Sequence, residues 1–286
     1  MSDDRLPVRR TLKLFIGGAF PRSESGRSYA ITGVDARPLG QASRASRKDA
    51  RDAVVAARAA QRSWAAKTPY NRGQILYRVA ELMEGRRAQF ETELTDAGAA
   101  DGAGEVSAAI DRWVWYAGWA DKLAQVAGGT NPVAGPYFNF TVPEPTGVVA
   151  VVAPREPALL GLVDRIAPAI VSGNTVVALA SEATPVPAIS LAEVLVTSDV
   201  PGGVVNILTG SPTELVPWLA GHMDVNAIDL TGCPPEMVPA AERSAAENVK
   251  RVHRARATDA ASPAAQHLSE ITALVEFKTV WHPIGA

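Results

Sequence analysis

The chain has a single cysteine, Cys233, in 286 residues. One thiol can close no disulfide within the chain and builds no multi-cysteine metal site, and such usage fits a reducing compartment. A surplus of charge is also missing, since 28 Lys and Arg stand against 30 Asp and Glu for a formal net charge of −2. A nearly neutral protein exerts no long-range pull on phosphate backbones or anionic lipid, so neither nucleic acid nor membrane is expected as a partner. Long hydrophobic runs are lacking too. The longest, such as Val148 to Ala153, are far too short to cross a bilayer, and Met1-Ser2-Asp3-Asp4 opens without the features of a secretion signal. The expected compartment is the cytoplasm. The four histidines, His222, His253, His267 and His282, have neither i, i+4 pairing nor a neighbouring cysteine cluster. No metal site is expected, and they read as surface or terminal residues.

With 47% hydrophobic residues, the chain is long enough to bury the core of one large domain or two small ones. Lys13 to Phe20, an apolar stretch broken by Gly17 and Gly18, predicts a strand, a turn and a second strand. Lys48 to Lys67 predicts a helix with Val54, Val55, Ala59 and Trp64 near one face, capped at its start by Ser46 and Asp49. A second helix is predicted from about Tyr70 to Leu94, with Ile75, Leu76, Val79, Leu82 and Met83 as its inward stripe. A third, from about Glu105 to Val126, carries Trp113, Trp115, Tyr116 and Trp119, read as packing against a sheet. Tyr137 to Val142 alternates with period two between flanking prolines and glycines, which predicts an exposed strand.

Beyond it, strands are predicted at Gly147 to Ala153, Thr175 to Leu179, Val204 to Leu208 and Val225 to Leu230. Helices are predicted at Pro157 to Val171, Pro185 to Val196, Pro212 to Gly221 and Pro234 to Asn248. Continuous β-branched strands alternating with helices imply a parallel sheet covered on both faces. The fold class is α/β, a doubly wound Rossmann-like parallel sheet with an N-terminal helical layer and a protruding β arm. Residues 250–268 read as a linker, and Ile271 to Val280 returns to strand character. The expected organisation is N-terminal strands and helices over 1–127, a hairpin over 128–145, the sheet domain over 146–249, the linker over 250–268 and a terminal strand over 269–286.

Several segments, in order, carry a resemblance. They are Lys13 to Phe20, Tyr116 to Lys122, Glu144 to Val149, Ile166 to Ala169 with Gly173 to Val177, Pro201 to Gly210, and Thr231-Gly232. Together they resemble the aldehyde dehydrogenase superfamily, and Val275 to Trp281 is similar to that family's C-terminal strand. The resemblance implies a cofactor-binding domain and a β arm that adds to a neighbouring subunit's sheet. It also implies a chemistry of cysteine nucleophile, glutamate base, oxyanion-holding asparagine and bound NAD(P).

Against that pattern the catalytic cysteine and glutamate belong to a region absent between Gly232 and the terminal strand, so no catalytic residue is assigned. Cys233 stands where the family has the serine of its Thr-Gly-Ser turn, and Glu156 where it has the asparagine; a carboxylate there repels a developing oxyanion. The family holds the adenosine ribose with a Lys-Pro-x-Glu pattern. Leu179-Ala180-Ser181-Glu182 keeps the glutamate and loses the lysine. At the pyrophosphate-binding helix start, Pro234, Pro235 and Glu236 remove N–H donors and add negative charge. The cofactor-binding residues that remain by resemblance are Glu182, Gly210, Thr231 and Gly232, with NAD(P) bound weakly or not at all. Two functions stay open. One is a non-catalytic subunit of a complex with a full-length aldehyde dehydrogenase, or with itself, through the arm; the other is an oxidoreductase component that still binds NAD(P).

Overall fold

The computed structural model describes residues 8–255 and 259–285. Three short strands, β1 (Arg10–Leu12), β2 (Ser28–Thr32) and β3 (Pro38–Ser43), form a sheet in the order β1-β3-β2. Between them the predicted strand and turn at Lys13 to Phe20 folds back through Ile16 and Ala19. Helix α1 (Arg47–Ala65) begins with the predicted cap: Ser46 Oγ accepts from the Lys48 and Asp49 amides, and the Asp49 carboxylate accepts from the Ser46 amide at 2.7 Å.

The helical layer continues with α2 (Pro69–Glu84), α3 (Arg87–Ala97), α4 (Gly102–Ala117) and α5 (Leu123–Ala127). The helix predicted over 70–94 is therefore two, because Gly85 ends one and Arg86 leaves helical geometry at φ −112°, ψ 13°. The third predicted helix likewise stops at Gly118 and resumes as α5.

Next come β4 (Gly129–Asn131) and β5 (Tyr137–Pro145), followed by five strands and their crossovers. These are β6 (Val148–Val152), α6 (Ala158–Val171), β7 (Thr175–Leu179), α7 (Val186–Thr197), β8 (Val205–Leu208), α8 (Pro212–Gly221), β9 (Ala227–Asp229), α9 (Val238–Ala246) and β10 (Arg251–His253). The strands pair in parallel in the order β10-β9-β6-β7-β8. Alternation along them decides which helices cover which face. Val149, Val151, Val176 and Ala178 join the core containing α6 and α7, while Val148, Ala150, Val152, Val177 and Leu179 join the one containing α1, α8 and α9. Phe15 exchanges two backbone hydrogen bonds with Ile207 (2.9 and 2.8 Å), covering the β8 edge. Trp113 and Tyr116 are fully buried, but α4 packs on α2 and α6, so they fill a helix layer and do not reach the sheet.

The stretch read as a linker over 250–268 contains β10, which extends the sheet by pairing Arg251–His253 with Ala227–Asp229. A three-residue edge strand is too short to show a periodicity, and its basic, alanine-rich context masks it. The last described elements are α10 (Ser269–Thr272) and β11 (Val275–Pro283), so the predicted last strand starts later than Ile271 and ends later than Val280. In the third sheet β11 lies antiparallel to β5 over nine unbroken residue pairs, with β4 on the far side of β5.

Candidate functional site

Strands β6 and β9 are neighbours, yet the helices that follow them leave to opposite faces of the sheet. Such a switch point opens a crevice at the strands' carboxyl ends, where open α/β sheets take their ligands. A cavity of about 430 Å³ lies there, lined by Ala153, Leu179, Glu182, Ser211, Gly232 and Pro234 among others. Two of the four sequence-selected residues, Glu182 and Gly232, thus come together.

Their surroundings differ from an open binding cradle. Glu182 faces Arg44, whose Nη2 lies 3.3 Å from its Oε1, and Arg44 Nε lies 3.3 Å from Glu214, itself paired with Arg27 at 2.8 Å. Arg44 has no local signal in the sequence, since the pairing spans 138 positions. Leu179 is 1% exposed and brings no polar atom to the crevice. A Cβ at Gly232 would sit 2.1 Å from the Ala153 carbonyl oxygen, so this glycine is required where the turn after β9 crosses the end of β6. Gly210 adopts φ +140° against Ala45 and makes the turn into α8. Thr231 turns away from this cavity: its amide and Oγ1 donate to Asp229 Oδ1 (2.9 and 2.5 Å), and Oγ1 accepts from the Ala255 amide at 2.8 Å. It ties β9 to the end of β10.

Helix starts are natural seats for a diphosphate, and those of α6 and α9 follow the two strands that flank the switch point. At α6 the seat is filled from within, because Glu105 Oε1 on α4 accepts from the Leu159 and Leu160 amides at 2.7 and 3.1 Å. Burial pushes the Glu105 pKa up while those two amides pull it down. Sequence reasoning missed this cap, which joins residues distant along the chain. At α9 the approach contains Pro234, Pro235 and Pro239, none with an N–H, and Met237 donates to the Pro234 carbonyl at 2.9 Å. The exposed Glu236 carboxylate adds negative charge at the same place. These residues do not fit a pyrophosphate. The Cys233 thiol is buried, and desolvation together with Glu236 raises its pKa against the opposing pull of Arg254, so it stays protonated and a poor nucleophile.

On the α6 side, a second cavity of about 590 Å³ is bordered by Asp164, Arg165, Thr231, Arg254, His267 and Glu270. Its floor is an ion network. Arg165 contacts Glu270 at 2.5 Å and Asp229 at 3.6 Å, and His253 Nε2 lies 2.9 Å from Glu270 Oε2. Histidine 253 is therefore a half-buried partner of α10, which corrects its reading as a surface residue; β10 carries it inward. Burial alone would raise the Glu270 pKa, but His253 and Arg165 outweigh it and hold the carboxyl at about 2. Burial lowers the His253 pKa, and Glu270 and Asp229 more than reverse this, leaving it above its usual value. Asp164, beside Arg112 and Arg165, is pushed up to about 7 by desolvation. The charges are matched within the network, which fastens α10 to the sheet. No cluster of three or more His, Cys, Asp or Glu side chains suited to a metal ion occurs among the described residues.

The parallel sheet, its switch-point crevice and the separate three-stranded arm define a Rossmann-like α/β protein. The chain belongs to the aldehyde dehydrogenase family, whose model matches residues 21–257. The match takes in β10, so similarity to the family continues well past Gly232. Cytosolic 10-formyltetrahydrofolate dehydrogenase of Xenopus laevis is 35% identical over 260 residues, covering 87% of this chain and 28% of that protein. The DhaS protein of Bacillus subtilis is 34% identical over 259 residues, covering 86% and 50%. Among solved structures, an NAD-dependent aldehyde dehydrogenase from Sinorhizobium meliloti superposes with TM-score 0.79 at 28% identity, covering 88% of this chain and 51% of that one. An aldehyde dehydrogenase from Bacillus cereus in complex with NAD+ gives 0.79 at 26%, covering 86% and 51%. The chain spans about half of the length of three of these relatives and 28% of the first. No helix among the described residues is long and apolar enough to cross a membrane.

Proposed function

We propose that this chain is a non-catalytic aldehyde dehydrogenase subunit that joins a full-length aldehyde dehydrogenase through its β arm, with a structural or regulatory role. The observation that carries the reading is a contrast within one molecule. The nine-pair β5–β11 ladder is intact, while Glu182 in the crevice is engaged by Arg44, the start of α6 is occupied by Glu105 and prolines lie along the approach to α9. The only thiol is buried with a raised pKa, so an aldehyde meets no activated nucleophile in this chain. NAD(P) binds weakly or not at all, since the residues named at the helix starts repel or fail to donate to a diphosphate.

The test is co-expression of a tagged copy with a full-length aldehyde dehydrogenase from the same cell. Mass by light scattering and aldehyde-dependent NAD(P) reduction, with and without this chain, are then measured. A stable mixed complex whose activity depends on the partner's cysteine is expected. No mixed assembly, or NAD(P) reduction by this chain alone, refutes the reading. In the second reading, the chain is an oxidoreductase component that retains NAD(P). Glu182 and Gly232 sharing one crevice favour it, and it requires Arg44 to release Glu182 when the dinucleotide enters.

A further inference from the structure

Basic residues at the start of a helix oppose its dipole, whose positive end lies there. Helix α1 nevertheless opens with Arg47 and Lys48 and carries Arg51 four positions on, in a chain whose net charge is −2. Asp49, the acid of that first turn, is buried and already engaged by the Ser46 amide and Ser23 Oγ, both at 2.7 Å. Proteins break such local rules mainly at functional sites. The three cations gather on a cavity of about 390 Å³ between α1 and α8, completed by Ala50, Trp218, Leu219 and His222. It shares no lining residue with the crevice and none with the β5–β11 ladder.

The polar side chains of this lining are all donors. Arginine, lysine and the indole N–H accept nothing, and no carboxylate, hydroxyl or amide side chain is among them. His222 Nδ1 accepts from the Asp224 amide at 3.2 Å. Burial lowers the His222 pKa, Asp224 opposing and Lys250 adding to the fall, so the ring is neutral at pH 7 and its proton sits on Nε2 as one more donor. Lys48 is partnered by Glu24 at 3.5 Å and Arg51 by Asp52 at 2.9 Å. Arg47 pairs with no carboxylate among the described residues; its guanidinium lies 4.4 Å from the centre of the Trp218 ring. That indole is 47% exposed. The amides of the helix start are not part of the seat, since Ser46 Oγ already accepts from those of Lys48 and Asp49.

We propose that this pocket binds a small organic monocarboxylate with a flat apolar body, its carboxylate gripped by Arg47 and its body lying beside Trp218 and Leu219. One unmatched charge suits a monoanion better than a phosphate dianion. A guanidinium holds a carboxylate through two parallel N–H bonds, and an indole offers a broad apolar face to the rest of the ligand. The cavity is within the size range of small-molecule sites. Oxidation of an aldehyde yields a carboxylate, so in a mixed assembly the pocket would take the product class of the partner's reaction. That placement rests on the partner reading; the binding itself does not.

The test is calorimetric titration of the purified chain with 2-naphthoate. Wild type is expected to bind one equivalent with submillimolar affinity. The neutral analogue 2-naphthamide and inorganic phosphate should each bind at least about tenfold more weakly, the scale of one charge-assisted hydrogen bond. Arg47→Gln should lose about tenfold and Trp218→Leu several-fold, with unchanged circular dichroism because both side chains are exposed. Arg62→Gln, exposed on the same helix and outside the pocket, should leave the affinity unchanged. No binding by wild type, equal binding of the amide or of phosphate, or undiminished binding by Arg47→Gln overturns the proposal. So does an equal loss in Arg62→Gln, which would show general attraction to a basic surface. A full-length aldehyde dehydrogenase that joins the chain while 2-naphthoate does not bind leaves the partner reading standing and removes only the pocket.

Discussion

Replacing Glu270 by glutamine tests whether the arm is fastened to the sheet by charge. The wild-type carboxyl titrates at about 2 in the folded chain against 4.5 unfolded, a difference of 2.5 pH units. At 1.36 kcal/mol per unit this contributes about 3 kcal/mol of stability at pH 5.5, which is also the scale expected when one partner of a buried ion pair is removed. Because the folded pKa is depressed, the contribution is fully present above pH 4.5 and is lost as pH falls toward 2. His253 works in the opposite sense. Its folded pKa is raised above 6.5, so its share is fully present below 6.5 and is lost as pH rises through the folded value. The Glu270–His253 pair is therefore strongest between about pH 4.5 and 6.5, from the two shifts together. Urea unfolding of wild type and Glu270→Gln across pH 2.5 to 8 should show a difference near 3 kcal/mol at pH 5.5 that shrinks on both sides. A difference below about 1 kcal/mol at pH 5.5, or one that stays flat down to pH 3, would refute the reasoning.

Glu105→Ala leaves two buried helix-start amides without an acceptor and is expected to cost about 2–4 kcal/mol; Glu105→Gln, which keeps an acceptor oxygen, should cost about 1 kcal/mol. Equal losses in chemical denaturation would argue against the capping role. Gly232→Ala puts a methyl group 2.1 Å from the Ala153 oxygen, and soluble folded protein should fall several-fold on expression. Normal yield and melting temperature would show that the crossing relaxes freely. Millimolar NAD+ is expected to move the melting temperature by less than about 1 °C, because a ligand stabilises only in proportion to its binding of the folded state. A rise of several degrees would restore the dinucleotide reading of the crevice.

The doubly wound sheet was legible because its strands are buried on both faces and read as continuous β-branched runs, a signal carried by the residues themselves. The cap at Ser46 and Asp49 was legible for the same reason, its partners being three positions apart. The break at Gly85-Arg86 was not, since the apolar stripe of α2 and the burial of Phe90 and Leu94 in α3 run on across it. Strand β10 escaped because three residues at a sheet edge carry no period. The chemistry of the crevice was half legible. Glu182, Gly232 and the prolines before α9 were found through resemblance, but Arg44 beside Glu182, Glu105 at α6 and His253 on Glu270 are encounters between distant segments with no local trace. Thr231 lies away from the crevice, its hydroxyl bonded to Asp229 and to the Ala255 amide beyond β10, which the residue's place in the chain did not reveal.

Pro143 and Pro145 give β5 two unlike edges. Both lie at positions that exchange no backbone bond with β11, and neither has an N–H to donate on its own side, so beyond the three residues held by β4 only the edge that carries Phe140, Val142 and Glu144 can take a full ladder. The last strand must find that edge after more than a hundred residues of intervening chain. A slip by one residue there would leave the prolines untouched but turn every side chain of β11 to the other face, carrying Trp281 away from Tyr137. The choice of edge is written into the strand that waits, and the choice of register into the one that arrives.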